Sequence, residues 1–445
     1  MRRNWIEIAG LYFPSAVLVD RSAVDGRPAE DGSLFLDSGP ERAHPGQVSL
    51  PGLVLKPRHG PGPLAGDMPF GSLFRSGQAR TALDNLRPSR ARAGVARTLD
   101  DTELEEWLER IARNRGEDEL RMIRDEAREV ASSLDALPRQ ATLDRLISAL
   151  LGTGGACLVT PAGRARGRRE PFDASRLTLF ETLHGALAGN MAPVIPEPPD
   201  PGEVFAFFES YFSNFIEGTE FALEEAEAIV FEDLVPAERP QDAHDVLGVF
   251  AAAARAPLRA RVPESADDLL ELLRLLNRSI LERRPEVGPG EWKRQVNRAG
   301  GTVFVAPEQV VGTLREAWRF YRTLPAGFAR AAFAMFVVTE IHPFADGNGR
   351  VARLLMNAEL SAEHQSRVVI PLCYRIDYLG ALRALSRQSE PAPLLRMLER
   401  AQRWGSLVDW STMPGAVEQL DRTNALVPPD EAEERGLVLL DPTEK

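Results

Sequence analysis

Residues 342–353 read HPFADGNGRVAR, and nearly every polar group in that run has a chemical use. His342 is the one nearby side chain suited to take a proton from a hydroxyl at neutral pH. Asp346 offers a hard oxygen ligand for Mg²⁺. Gly347 and Gly349, on either side of Asn348, let the backbone take positive φ and approach a phosphate closely. Arg350 and Arg353 stand three apart, so on a helix both can face one anion. The plainer alternative is a buried histidine beside a turn.

These groups need elements to hold them. Residues 326–340 are apolar almost all round, the pattern of a helix buried in the middle of a domain. A second helix is expected after the glycine-rich loop, with Val351, Leu354, Leu355 and Ala358 on its buried face. Its first turn would present unpaired N–H groups and the positive end of the helix dipole, where phosphate binds well. Upstream, Ser213-Asn214-Phe215-Ile216-Glu217-Gly218 lies on an amphipathic segment with Phe207, Phe208, Tyr211, Phe212 and Phe215 as its apolar face. Ser213 and Glu217 are one turn apart and share a side. Taken alone, Glu217 would read as a solvated helix-end residue with Gly218 as the stop.

In these residues the chain resembles the Fic family, whose signature HxFx(D/E)GNGRxxR is matched at every fixed position between His342 and Arg353. The resemblance implies a protein adenylyltransferase, moving AMP from ATP onto a hydroxyl of a target protein. It implies His342 as general base, Phe344 as an apolar anchor and Asp346 as the Mg²⁺ ligand. Gly347, Asn348 and Gly349 would form the anion cradle, and Arg350 and Arg353 would hold the β- and γ-phosphates. Ser213 and Glu217 resemble the family's inhibitory motif (S/T)xxxE(G/N), in which the carboxylate is aimed at Arg353. Thr302-Val303-Phe304-Val305 resembles the β-hairpin flap that aligns a target segment by strand addition. Residues 375–382 resemble the stretch RxxYYxAL beside the base: Tyr378 matches, while Leu379 replaces the second aromatic.

The expected fold is mainly α, a helical Fic domain with a β-hairpin flap, preceded by a small α+β domain and a helical segment. The first hundred residues hold short apolar runs at 16–19, 33–36 and 48–55, separated by turn residues. Asp100 followed by Glu103 marks a helix start, with Leu104, Trp107, Leu108 and Ile111 on one face. Further helical patterns run over 120–134 and 143–151. Pro193, Pro196, Pro198, Pro199 and Pro201 read as a linker. The expected division is therefore 1–100, 101–192, a linker at 193–202, the domain at 203–410 and a tail at 411–445, mobile from Val427 onward. Phe13-Pro14-Ser15-Ala16-Val17, Arg21-Ser22-Ala23, Leu50-Pro51-Gly52-Leu53 and 80–86 resemble the antitoxins of type IV abortive-infection systems, without the winged helix that often precedes them.

Composition bounds the rest. A hydrophobic fraction of 44% with 27% charged residues is that of a globular protein with a real core. Cys157 and Cys373 form neither a disulfide framework nor a metal-ligand pair, which fits a reducing cytoplasm. A net charge of −12 argues against wholesale nucleic-acid binding and no membrane span is visible. Only Lys56, Lys293 and Lys445 of the 53 basic residues are lysines, so arginine clusters carry little meaning. The runs Arg87, Arg90, Arg92, Arg97 and Arg164, Arg166, Arg168, Arg169 are expected as solvated loops. The expected partner is a protein presenting a Tyr, Thr or Ser hydroxyl, and a homodimer stays open. So do transfer of UMP, phosphocholine or phosphate, removal of AMP, and a regulator acting through the N-terminal module.

Overall fold

Short apolar runs broken by glycine, proline and aspartate can pair only as short strands, and six of them form one mixed sheet in the N-terminal part. They are β1 (Val17–Leu18), β2 (Ser33–Asp37), β3 (Val48–Leu50), β4 (Leu53–Arg58), β5 (Met68–Phe70) and β6 (Leu73–Arg75), in the order β3-β4-β2-β1-β6-β5. The run at 48–55, expected as one strand, is split by Pro51-Gly52 into the β3–β4 hairpin, with Gly52 at φ 74°. In this computed structural model residues 4–41, 46–89, 94–189, 194–197 and 202–443 are described. They fall into two compact units, Met1–Pro171 and Phe172–Lys445.

In the first unit the sheet is followed by helices Gln78–Asn85, Asp101–Arg115, Glu117–Val130 and Leu137–Leu150. Asp100 and Glu103 make both bonds of a capping box at the start of the second of these. Ala79, Ala82, Leu83 and Leu99 pack into one core with Leu104, Leu108, Ile123 and Ile147, so residues before and after position 100 share that core. The expected separation at 100 is absent for that reason. Arg97 is not a solvated loop residue but pairs with buried Asp20 at 2.8 Å. Arg166 likewise is buried, against Glu109 at 3.3 Å. Arg90 and Arg92 lie outside the described residues.

The second unit is helical around two buried central helices, Phe328–Ile341 and Asn348–Ala362. The expected boundary at the proline cluster does not fall there. Helix Ala174–Gly189 precedes it, yet buries Leu179, Phe180, Leu183 and Leu187 in the core of the second unit. Of the cluster, Pro193, Pro198, Pro199 and Pro201 lie outside the described residues, while Pro196 bridges to Gln365. The stretch from 411 is no free tail: it forms helices Met413–Arg422 and Pro429–Arg435, and Ala416, Leu420 and Leu439 share a core with Trp404 and Trp410. Helix Gly202–Ile216, expected to be amphipathic, is buried on every side from Phe205 onward. Its phenylalanines meet a second layer of apolar side chains, so it is a core helix. Among the described residues no helix is long and apolar enough to cross a membrane.

Candidate active site

The first central helix ends at Ile341, and His342 caps it in the left-handed region at φ 55°, ψ 61°. That turn throws the chain into the loop and sets the imidazole at the edge of a cavity. His342 Nδ1 lies 3.2 Å from the Thr339 carbonyl, which can only accept, so Nδ1 carries the proton and Nε2 keeps its lone pair. Phe304 stacks on the ring with centroids 4.0 Å apart and planes at 9°. Burial pushes the His342 pKa below its ordinary value, and Lys293 adds to this, while the Thr339 carbonyl, Glu217 and Asp346 oppose it. The imidazole is therefore neutral at pH 7, the form a base needs.

The loop folds on its own polar groups. Asn348 accepts from the Phe344 N–H at 2.8 Å and donates to its carbonyl at 3.0 Å. Phe344 is buried and stacks on Trp292 at 5.1 Å. Gly347 starts the second helix at φ 79°, and a Cβ there would crowd Leu281, Asn277 and Ile280. Glycine is required twice over. The Gly347 N–H donates to Asp346 Oδ1 at 2.6 Å, and Arg350 and Arg284 pair with the two carboxylate oxygens at 3.1 and 2.8 Å. Burial alone would raise the Asp346 pKa, but Arg350, the Gly347 N–H and Arg284 hold it below the usual value.

Arg350 and Arg353 do not face one anion. Arg350 is buried and turned toward Asp245, with Asn214 Oδ1 at 3.4 Å and Asp346 as its other partners. Arg353 points into the cavity side. It donates through Nε to Ser213 Oγ at 2.9 Å, and through one terminal nitrogen to the Ser213 carbonyl at 2.9 Å and Glu217 Oε1 at 2.7 Å. Glu217 follows the last turn of the Gly202–Ile216 helix and is 32% exposed, against 6% for Arg353. Its carboxylate lies over the first turn of the Asn348–Ala362 helix, where a Cβ on Gly349 would collide with Oε1. An acceptor thus already sits where the helix presents its unpaired N–H groups.

The cavity is about 600 Å³ and is lined by Glu217, His342, Gly349, Arg353, Tyr378 and the turn of a short hairpin, among others. That hairpin pairs β7 (Arg298–Ala299) with β8 (Thr302–Val303) across Gly300-Gly301. Phe304 leaves it to stack on His342, and Val305 enters the core. Tyr378 is wholly buried, its hydroxyl 3.5 Å from Met335 Sδ, with Arg353 over its ring at 6.0 Å. The structure thus gathers His342, Gly349, Arg353, Tyr378 and Glu217 at one cavity, with Ser213 behind Arg353, while Arg350 and Asp346 form an adjoining ion cluster. The sequence reading missed Asp245, Arg284, Asn277 and Lys293, which hold that cluster and the loop. Only Lys293 carried a signal, as one of three lysines in an arginine-rich chain. For Mg²⁺ the donor set is one partly exposed carboxylate, which suits an ion held chiefly by substrate phosphates and water.

Comparison with known proteins adds three findings. Residues 265–360 match the Fic/DOC family model, spanning the loop and the helices that flank it. The chain is 28% identical over 234 residues to the Protein adenylyltransferase Fic of Drosophila persimilis, covering 49% of this chain and 44% of that protein. It is 29% identical over 234 residues to the same protein of Drosophila yakuba, covering 49% and 46%. The match therefore spans less than half the length of these relatives. Among solved structures, Fic-1 from C. elegans is 19% identical with a TM-score of 0.37, covering 73% of this chain and 95% of that one. A Fic domain containing signaling protein from Bacteroides thetaiotaomicron is 19% identical with a TM-score of 0.41, covering 54% and 97%.

Proposed function

We propose that the chain is a self-inhibited protein adenylyltransferase that moves AMP from ATP to a Tyr, Thr or Ser hydroxyl of a target protein. The observation that carries this reading is the pairing of Glu217 with Arg353 over Gly349, beside a neutral His342 whose Nε2 is free to accept a proton. The matched family region and the adenylyltransferase activity for which the Drosophila relatives are named support it.

In this mechanism the target segment adds to the edge of β8 and brings its hydroxyl to His342. Nε2 takes the hydroxyl proton as the oxygen forms its bond to the α-phosphorus. The α-phosphorus–oxygen bond to the β-phosphate breaks in line, and pyrophosphate leaves with the electron pair. The N–H groups of Asn348 and Gly349 and the Arg353 guanidinium hold the phosphates, so catalysis is chiefly positioning and charge stabilisation. Arg350, held by Asp245 and Asp346, fixes the start of the helix and keeps Asp346 ionised. Mg²⁺, with Asp346 as its protein ligand, would supply charge neutralisation of the phosphates.

Glu217 opposes the productive state in two ways. Its carboxylate takes the guanidinium meant for the γ-phosphate, and it repels that phosphate across the same few ångströms. Four proteins with radiolabelled ATP test this: wild type, Glu217→Gly, Glu217→Gly with His342→Ala, and Arg353→Ala. Glu217→Gly should label itself or a lysate protein at least about tenfold above wild type, since a displacement of about 1 Å can cost a hundredfold in rate. The double variant and Arg353→Ala should stay dark. Equal, weak labelling by wild type and Glu217→Gly would reduce the motif to a helix end.

A further inference from the structure

His342 sits in a backbone region that non-glycine residues seldom enter, and it stays there only if its surroundings over-determine it. The loop carbonyls show what does so. The Asn277 side chain donates to the Asp346 carbonyl and that of Asn297 to the Phe344 carbonyl, each at 2.9 Å. Closer to the histidine, one residue does both jobs. The Lys293 N–H donates to the Pro343 carbonyl at 2.9 Å, and its ammonium donates to the Ile341 carbonyl at 3.1 Å. Lys293 is 4% exposed, so this is no surface lysine resting on a carbonyl.

We infer that Lys293 is the positioning residue of the candidate base, bracketing His342 by its two neighbours and setting a positive charge beside the imidazole. The two effects act in one direction. The bracket fixes the left-handed cap, so Nε2 is aimed at the cavity before any substrate arrives. The charge disfavours the imidazolium and keeps Nε2 unprotonated. Glu217 and Asp346 pull the other way, Phe304 covers one face of the ring, and the Thr339 carbonyl holds Nδ1. Burial, with Arg176 facing it, brings the Lys293 pKa down to about 8, so the ammonium persists at neutral pH. Arg176 is spoken for by Glu340 and the Val303 carbonyl, at 2.5 Å each, and so tethers β8 rather than the loop.

This assignment rests on His342 as the base, and the test separates the two. In full-length Glu217→Gly protein, Lys293→Met should lower kcat about tenfold or more, with KM for ATP within about twofold, because no phosphate contact is touched. The acid limb of the rate profile should move to higher pH in Lys293→Met and stay in place in Lys293→Arg, which keeps the charge. NMR titration of the His342 imidazole, identified by its loss in His342→Ala, should show the same shift without any turnover. Unchanged kcat, or an unmoved His342 titration in Lys293→Met, overturns the assignment. Should Lys293→Met not fold, Lys293→Gln keeps a donor for Ile341 without the charge and must show the titration shift alone. If Glu217→Gly fails to label at all, the enzymatic reading falls, and the titration still decides the role of Lys293.

Discussion

The two units bury similar collections of charge and put them to different use. In the first, Arg80 pairs with Asp37 at 2.6 Å and Asp67 at 2.5 Å, Arg58 with Asp84 at 2.7 Å, and Arg97 with Asp20. Asp20, Asp37 and Asp84 are wholly buried, and these charges tie β2, β4 and the short helix Asp20–Asp25 to the helix Gln78–Asn85. In the second, Arg353 pairs with Glu217 at the wall of a 600 Å³ cavity, and the carboxylate is one-third exposed. The first cluster is closed, with the side chains of Arg80, Asp37, Asp67 and Asp84 each at most 2% exposed. In the proposed function the second exchanges its acid for a phosphate. Buried charge becomes a site when it borders open volume and one partner can leave.

The largest effect should come from the open cluster. Replacing His342 with Ala in Glu217→Gly protein should cut labelling by about 10²–10⁴-fold, the usual worth of a positioned base. ATP affinity should stay within about an order of magnitude, because the proposed phosphate contacts belong to Gly349, Arg353 and the helix start. Isothermal titration beside the labelling assay reads both, and full activity without His342 would end the mechanism.

The closed cluster should respond in stability instead. Arg80→Leu removes the guanidinium from Asp37 and Asp67 and leaves both carboxylates buried without it. Such a loss costs about 3–5 kcal/mol, because the unpaired charge cannot reach water. Urea unfolding of the full chain should show an early transition for the first unit, with the second unchanged. Labelling in the Glu217→Gly background should persist before that transition. Loss of labelling without unfolding would mean that the first unit's charges serve the reaction.

What the sequence disclosed follows the same division. His342, Gly347, Gly349 and Arg353 were legible because their uses are local: a cap, a tight turn, one face of one helix. Ser213 and Glu217 stood out only through the motif they resemble, since by spacing alone Glu217 reads as a helix end. Asp245, Arg284 and Lys293 were not, because each meets the loop from a distant element and only packing brings it there. The shared reading of Arg350 and Arg353 failed for that reason, since Asp245 draws Arg350 away. The boundary was misplaced at the proline cluster although the contrary signal was present. Leu179, Phe180, Leu183 and Leu187 form an apolar stripe on Ala174–Gly189 that needed a core to enter. Prolines report local stiffness, whereas burial decides which unit a helix joins.

The smallest effect concerns a buried acid with no arginine as hydrogen-bond partner. Glu359 lies on the Asn348–Ala362 helix and accepts a hydrogen bond from the Tyr321 hydroxyl. Burial pushes its pKa up to about 7, against the pull of Tyr321 and Arg330 and with Glu363 adding to the rise. Asp346, on the neighbouring loop, goes the other way because two guanidiniums flank it. The sign for stability follows. The folded state holds a proton on Glu359 that the unfolded chain releases near 4.5, so the contribution is full below that pH and lost as pH rises toward 7. At 1.36 kcal/mol per pH unit the loss is at most about 3 kcal/mol, and solvent relaxation will make it smaller. Glu359→Gln keeps an acceptor for Tyr321 and cannot titrate. The difference in urea midpoint between wild type and Glu359→Gln should therefore shift between pH 4.5 and 7 in favour of the variant, then hold constant to pH 8.5. Arg80→Leu retains Glu359 and should keep the wild-type window, since its cluster lies in the other unit. A wild-type midpoint that tracks the variant at every pH would mean that Glu359 is ionised in the folded chain, and that Tyr321 and Arg330 together suffice to hold a buried carboxylate.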